Sequence, residues 1–156
     1  MLKEGDRAPI FKLQGLDEKG KEREYSLTGF SGRKVVLYFY PKDNTPGCTT
    51  EACDFRDNLQ KVVGKGAVVL GVSPDNIDSH KKFHAGHGVN FPLLSDRDRR
   101  VATVYGAYGQ KKSFGKTALG IIRSTFIVDE KGFIKKAWYG VKVEGHVDEV
   151  LEALGG

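Results

Sequence analysis

The sequence predicts an α/β fold: a central mixed β-sheet flanked by helices, with a β-hairpin at the N-terminal end. Three observations carry this. Residues 35–40 and 67–72 are almost unbroken apolar runs, as strands buried on both faces should be. Segments of helical period follow each of them, so strand and helix alternate through the middle of the chain. A turn signal, Asp129-Glu130-Lys131-Gly132, then separates two more strand-like segments. The 156 residues suit one domain, 1–156, with neither internal repeat nor linker.

The elements follow in order. Residues 11–16 alternate weakly, Asp17-Glu18-Lys19-Gly20 turns, and 21–25 return as the second strand of a hairpin. Strand 34–40 ends at Pro41, and Asp43-Asn44-Thr45-Pro46-Gly47 is a dense loop signal. From Thr49 the period changes: Ala52, Phe55, Leu59, Val62 and Val63 fall on one helical face, and Gly64 and Gly66 stop the helix. A buried strand at 67–72 leads through Ser73-Pro74-Asp75 to a helix over 76–84. A short strand at 91–95 and a short helix at 99–105 come next. Residues 106–120 hold four Gly and many polar side chains, which predicts a long loop. Strands 124–128 and 133–138 form the second hairpin, and an amphipathic helix over 146–154 closes the chain.

Composition excludes several classes. Apolar residues at 39% and charged residues at 29% build a core and argue against disorder. No apolar run approaches the ~20 residues a membrane span requires, so no membrane partner is expected. The opening residues lack the apolar stretch of a secretory signal, which makes the cytoplasm the expected compartment. Lys and Arg total 25 against 20 Asp and Glu, a net charge of +5. These charges are dispersed and no aromatic-plus-basic motif accompanies them, so specific nucleic-acid binding is not expected.

The two cysteines are the most informative count. Cys48 and Cys53 lie five residues apart, and a bridge across so short a loop stabilises little. A reducing compartment would not preserve one for structure. Cys48 instead falls where a Pro-bounded loop enters a helix. Unpaired N–H groups and the positive dipole end favour a thiolate there. Burial as a small apolar residue is the bland alternative, and it leaves the Pro-Gly entry and the second Cys unexplained.

The stretch resembles a known family. Pro41, Thr45 and Cys48 fit P-x-x-x-T-x-x-C, the peroxiredoxin pattern. Phe39-Tyr40-Pro41, Thr45-Pro46-Gly47-Cys48-Thr49, Glu51-Ala52-Cys53 and Phe55-Arg56-Asp57 together are similar to the bacterioferritin comigratory protein, or Q-type, subfamily. Residues 120–129 resemble the segment that carries the family's active-site arginine, here Arg123, and residues 5–11 also fit. The resemblance spans nearly the whole chain. A Trp half expected near Tyr108 is absent. It implies a thioredoxin-like fold and thiol-dependent reduction of hydrogen peroxide and organic hydroperoxides by a monomer. Cys48 would be peroxidatic and Cys53 resolving. Electrons would come from thioredoxin or a similar dithiol, by exchange at a Cys48–Cys53 disulfide. No organic cofactor or metal is implied, because the redox chemistry resides on sulfur.

The chemistry assigns roles to the matched residues. A thiolate attacks one peroxide oxygen and the O–O bond breaks in line, leaving a sulfenic acid. The breaking bond must itself be stabilised, since thiolate formation alone is small against enzymatic accelerations of ~8 kcal/mol or more. The Thr45 hydroxyl can accept a proton from the peroxide or donate one to it. The Cys48 N–H can donate at the helix start. Arg123 offers five donors and a permanent charge. Pro41, with no N–H, can shield the sulfur from water. If Cys48 and Cys53 are both helical, their Cα atoms lie about 8 to 9 Å apart, whereas a disulfide needs roughly 4.4 to 6.8 Å. Bridging would then require the helix start to unwind.

Other side chains read more blandly. His80 and His84 share a helix face and with one further ligand could hold a metal, but a solvated face is the simpler reading. No serine has the G-x-S-x-G context of a hydrolase. Two rival functions remain open: a general thiol–disulfide oxidoreductase or redox sensor, despite the missing C-x-x-C, and a zinc-binding thiol module. Peroxide consumption and metal analysis separate them.

Overall fold

The computed structural model describes residues 1–113 and 115–155. β1 (Lys12–Leu16) and β2 (Glu22–Ser26) form the N-terminal hairpin. β3 (Lys34–Phe39), β4 (Ala67–Ser73) and β5 (Leu93–Ser95) run parallel. β8 (Ser124–Val128) and β9 (Ile134–Tyr139) form the second hairpin, whose β8 pairs antiparallel with β3. Together they make one mixed seven-stranded sheet in the order β2-β1-β5-β4-β3-β8-β9.

The apolar run of β3 has a simple cause. Val35, Leu37 and Phe39 enter one core cluster while Val36, Tyr38 and Tyr40 enter the other, so both faces of this central strand are covered. Side chains from α1 (Pro46–Asp57), α2 (Leu59–Gly64), α3 (Ile77–His87) and α5 (His146–Leu154) fill the second cluster. Val101 and Ala102 of α4 (Arg100–Val104) join Ala8 and Phe11 in the first. Gly71 on β4 is required by packing, because a Cβ there would sit 3.0 Å from the Tyr38 ring. No helix is long and apolar enough to cross a membrane among the described residues.

Two expectations need correction. The helix expected from Thr49 to Val63 starts earlier, at Pro46, and is two helices. Asn58 leaves helical geometry at φ −111° and ψ 9°, and its side chain donates to the Asp54 carbonyl at 2.8 Å. The apolar positions keep a helical period across this break, which is why periodicity cannot reveal it. Residues 106–120 are not a long loop either: β6 (Tyr108–Ser113) and β7 (Lys116–Ile121) form a separate antiparallel hairpin. Thr117, Ala118 and Leu119 are all exposed, so no alternation of apolar residues betrays the strand.

Candidate active site

The site lies where β3 ends. Tyr40 completes the strand's run and donates its N–H to the Val72 carbonyl at 3.0 Å. Residues 41–45 then cross to α1, with Thr45 at the N-cap in extended backbone and Pro46 at the first helical position. Proline suits that position, since its missing N–H would have had no helical partner. Thr49 N–H closes the first turn on the Thr45 carbonyl at 2.8 Å. The N–H groups of Gly47 and Cys48 precede that bond and point out of the helix start as open donors. Cys48, the third residue of α1, is 2% exposed, and Cys53 lies further along the same helix, half-buried; both are free thiols.

Arg123 reaches this thiol from the two-residue gap between β7 and β8. Its backbone is fixed by Val141 N–H, which donates to the Arg123 carbonyl at 2.9 Å. Nη2 stands 3.2 Å from Cys48 Sγ, and Nη1 donates to Glu51 Oε1 at 2.6 Å. Cys48 and Glu51 are three residues apart on α1 and so share a face, and one guanidinium bridges both. Gly47 gives that guanidinium room: a Cβ at Gly47 would come within 3.3 Å of Nη2.

The bridge is electrostatically tense. Burial pushes the Glu51 carboxyl up to about 7, although Arg123 opposes the shift by charge and hydrogen bond. Burial also works against the Arg123 cation, but Glu51 and the Cys48 sulfur outweigh it and hold its pKa above the usual arginine value. The two groups thus pull in different senses. Arginine stays charged at any working pH, so the proton that titrates is the one on Glu51. Glu51 Oε2 is buried with no hydrogen-bond partner among the described residues.

Thr45 and Pro41 flank the sulfur's loop, both partly exposed. The Thr45 hydroxyl donates to the Lys42 carbonyl at 2.8 Å. Its proton is therefore committed and its lone pairs face outward as acceptors. Of the two roles the sequence left open to this hydroxyl, acceptance is the one compatible with that bond.

The histidine reading needs correction. His80 is not on a solvated face but fully buried, with Nδ1 2.7 Å from Asp43 Oδ2 and Nε2 3.0 Å from the Leu94 carbonyl. Asp43, Asp75 and His80 bring metal-ligand-type atoms within 4.8 Å of one another, yet Asp43 Oδ2 already meets His80 Nδ1 and Ser79 Oγ, while Asp75 Oδ2 accepts from the Asp43 N–H and Ser73 Oγ. His84 turns to the Val89 carbonyl instead. Gly47 and Glu51 stand within the stretch that carries the family resemblance, but nothing in the sequence assigns either a role at the site; for Glu51 the i+3 spacing from Cys48 is the available clue. A cavity of about 530 Å³ beside Tyr25, Phe30 and Phe91 touches none of these residues.

Known proteins share this arrangement of sequence. The AhpC/TSA family matches residues 4–137. Peroxiredoxin Bcp of Bacillus subtilis is 45% identical over 150 residues, covering 96% of this chain and 93% of that protein. Peroxiredoxin Bcp of Escherichia coli is 42% identical over 153 residues, covering 98% and 96%. A solved structure of Xanthomonas campestris peroxiredoxin Q superposes with a TM-score of 0.82 at 44% identity, covering 91% of this chain and 89% of that one. With a thioredoxin-like sheet and a thiol under a guanidinium, the chain belongs to the AhpC/TSA family, among its bacterioferritin comigratory protein or Q-type peroxiredoxins, which are peroxidases.

Proposed function

We propose that this chain reduces hydrogen peroxide and organic hydroperoxides through a Cys48 sulfenic acid and an intramolecular Cys48–Cys53 disulfide. The observation that carries it is the 3.2 Å contact between Arg123 Nη2 and Cys48 Sγ at an open helix start. A cation and free N–H groups beside one sulfur hold a thiolate and can also hold the negative charge that grows on the peroxide oxygens.

In the first step the Cys48 thiolate attacks the nearer oxygen of ROOH. An S–O bond forms, the O–O bond breaks, and the departing RO⁻ takes a proton, giving Cys48–SOH and ROH. Thr45 accepts the peroxide O–H and so orients the attacked oxygen. Arg123 and the Cys48 N–H stabilise the transition state, and Pro41 keeps water from the sulfur. In the second step the Cys53 thiol attacks the sulfenic sulfur and water leaves. A dithiol such as thioredoxin then reduces the disulfide and is itself oxidised. Alkyl peroxide reduction activity is described for a Xanthomonas campestris bacterioferritin comigratory protein that is 43% identical, and this favours organic hydroperoxides as well as hydrogen peroxide. The chain acts as one domain and as a monomer, in the cytoplasm.

Stopped-flow mixing of reduced protein with one equivalent of peroxide, followed by intact mass, tests this. We expect rapid peroxide loss and a product two hydrogens lighter than the dithiol. A protein that exchanges disulfides but leaves peroxide untouched would be the general oxidoreductase instead.

A further inference from the structure

We infer that Asp75 and Asp43, braced by His80, are positioning residues that fix which way the Thr45 hydroxyl faces. This rests on the reading of Thr45 as the acceptor of the peroxide O–H. The key is a single peptide group between Lys42 and Asp43. Its oxygen accepts the Thr45 hydroxyl at 2.8 Å, and its N–H donates to Asp75 Oδ2 at 2.7 Å. A peptide is planar, so pinning the N–H end orients the oxygen at the other end. The oxygen in turn holds the Thr45 proton, and the lone pairs of Thr45 are left pointing at the site.

The pin is itself held from several elements. Asp75 Oδ2 also accepts from Ser73 Oγ at 2.7 Å, at the end of β4. The Asp43 carboxylate, 5% exposed, receives Tyr40 Oη at 2.6 Å on one oxygen. On the other it receives Ser79 Oγ at 2.8 Å and meets His80 Nδ1 at 2.7 Å, both from α3. The Leu94 carbonyl can only accept, so His80 Nε2 carries a hydrogen, and the Nδ1–Oδ2 contact holds a further proton between ring and carboxylate. The residue between this anchor and Thr45 is Asn44, whose φ of 62° is a left-handed conformation that asparagine tolerates. The loop is thus tied to β3, β4, β5 and α3, and the ties converge on one peptide plane. Among the described residues, no hydrogen bond of this network involves Cys48 or Arg123.

A double-mutant cycle tests the inference. Asp75→Ala removes the acceptor of the Asp43 N–H, and we expect peroxide reduction about 10-fold slower. Asp75→Asn keeps an amide oxygen in that place and should recover most of the rate. Alkylation of Cys48 by iodoacetamide needs the thiolate but not Thr45, so its rate should hold in both variants. In a Thr45→Val background, itself at least about 10-fold slow, Asp75→Ala should add little. His80→Gln can satisfy Asp43 or Leu94 but not both, and the same cycle with it replaces Asp75→Ala if that variant does not fold. Full additivity in the Thr45→Val background, or a matching fall in alkylation, would overturn the positioning role. If Thr45→Val itself leaves the peroxide rate intact, the acceptor reading of Thr45 fails. If only Asp75→Ala and His80→Gln leave it intact, that reading stands and the positioning role fails.

Discussion

Cys48 and Cys53 share one helix but not one environment: the first meets a guanidinium at an open helix end, the second sits mid-helix. Cys48→Ser is therefore expected to abolish peroxide reduction. Cys53→Ser should still consume one equivalent and accumulate Cys48 as sulfenic or over-oxidised acid, read by intact mass; the reverse pattern would exchange the roles. Arg123 separates two kinds of catalysis. If it only favoured the thiolate, Arg123→Ala would recover above pH ~9, where ordinary thiols ionise. A donor held to the breaking O–O bond is lost at every pH, so we expect a deficit of about 100-fold or more that persists there. Arg123→Lys should restore only part, since an ammonium lacks the planar fork. Stopped-flow rate constants across pH decide between the two. Glu51 leaves its mark on stability. Its carboxyl, ordinarily at 4.5, is raised to about 7, so the folded chain holds a proton that the unfolded chain has lost between those values. Stability therefore falls as pH rises through that window, by on the order of 3 kcal/mol, and the full cost is present above it. His146, whose pKa burial lowers, works in the opposite sense and destabilises only as pH drops below its ordinary 6.5. The difference between wild type and Glu51→Gln in chemical denaturation at several pH values isolates the Glu51 slope. An unchanged slope in the variant would contradict it.

At the scale of elements, the proposed Cys48–Cys53 disulfide requires α1 to move. Both thiols lie within it, about 8 to 9 Å apart at the Cα atoms by helical geometry, beyond the reach of a disulfide. The break at Asn58 confines the change, because α2 has its own end and its own buried Val62. We expect hydrogen exchange to rise on oxidation across residues 49–57 and to stay constant in α2. Equal protection in both states, with the disulfide verified by mass, would refute the unwinding. Once freed from helical geometry, the five-residue span between the thiols can fold back in a turn and bring its ends within the roughly 4.4 to 6.8 Å a disulfide needs. Most of the elements were legible in the sequence, because strands such as β3 and β4 are covered on both faces and read as apolar runs. The hairpin β6–β7 was not, since it stands apart from the sheet and exposes Leu119 and its neighbours. The Asn58 break was hidden for a different reason, as one polar residue cannot disturb a period carried by Phe55, Leu59 and Val62.

At the scale of the whole molecule, the sheet order does what local sequence cannot. β3 and β8 are neighbours, with Phe39 opposite Ser124, and this register sets Arg123 beside the loop that leads to Cys48. Cys48, Thr45 and Pro41 were legible from one short motif. Arg123 was legible only through a family resemblance, because spacing along the chain says nothing about which strands pair. The Asp43–His80 bond was invisible for the same reason, as 37 residues separate its partners. The pairing of β3 with β8 also has a consequence in time. Cys48 and Arg123 are 75 positions apart, so a growing polypeptide presents the sulfur well before the cation. At ~5–20 residues per second, synthesis leaves that thiol about 4 to 15 seconds without its guanidinium. On the role proposed for Arg123, the sulfur would lack its activating cation throughout that interval and gain it only when β8 docks beside β3.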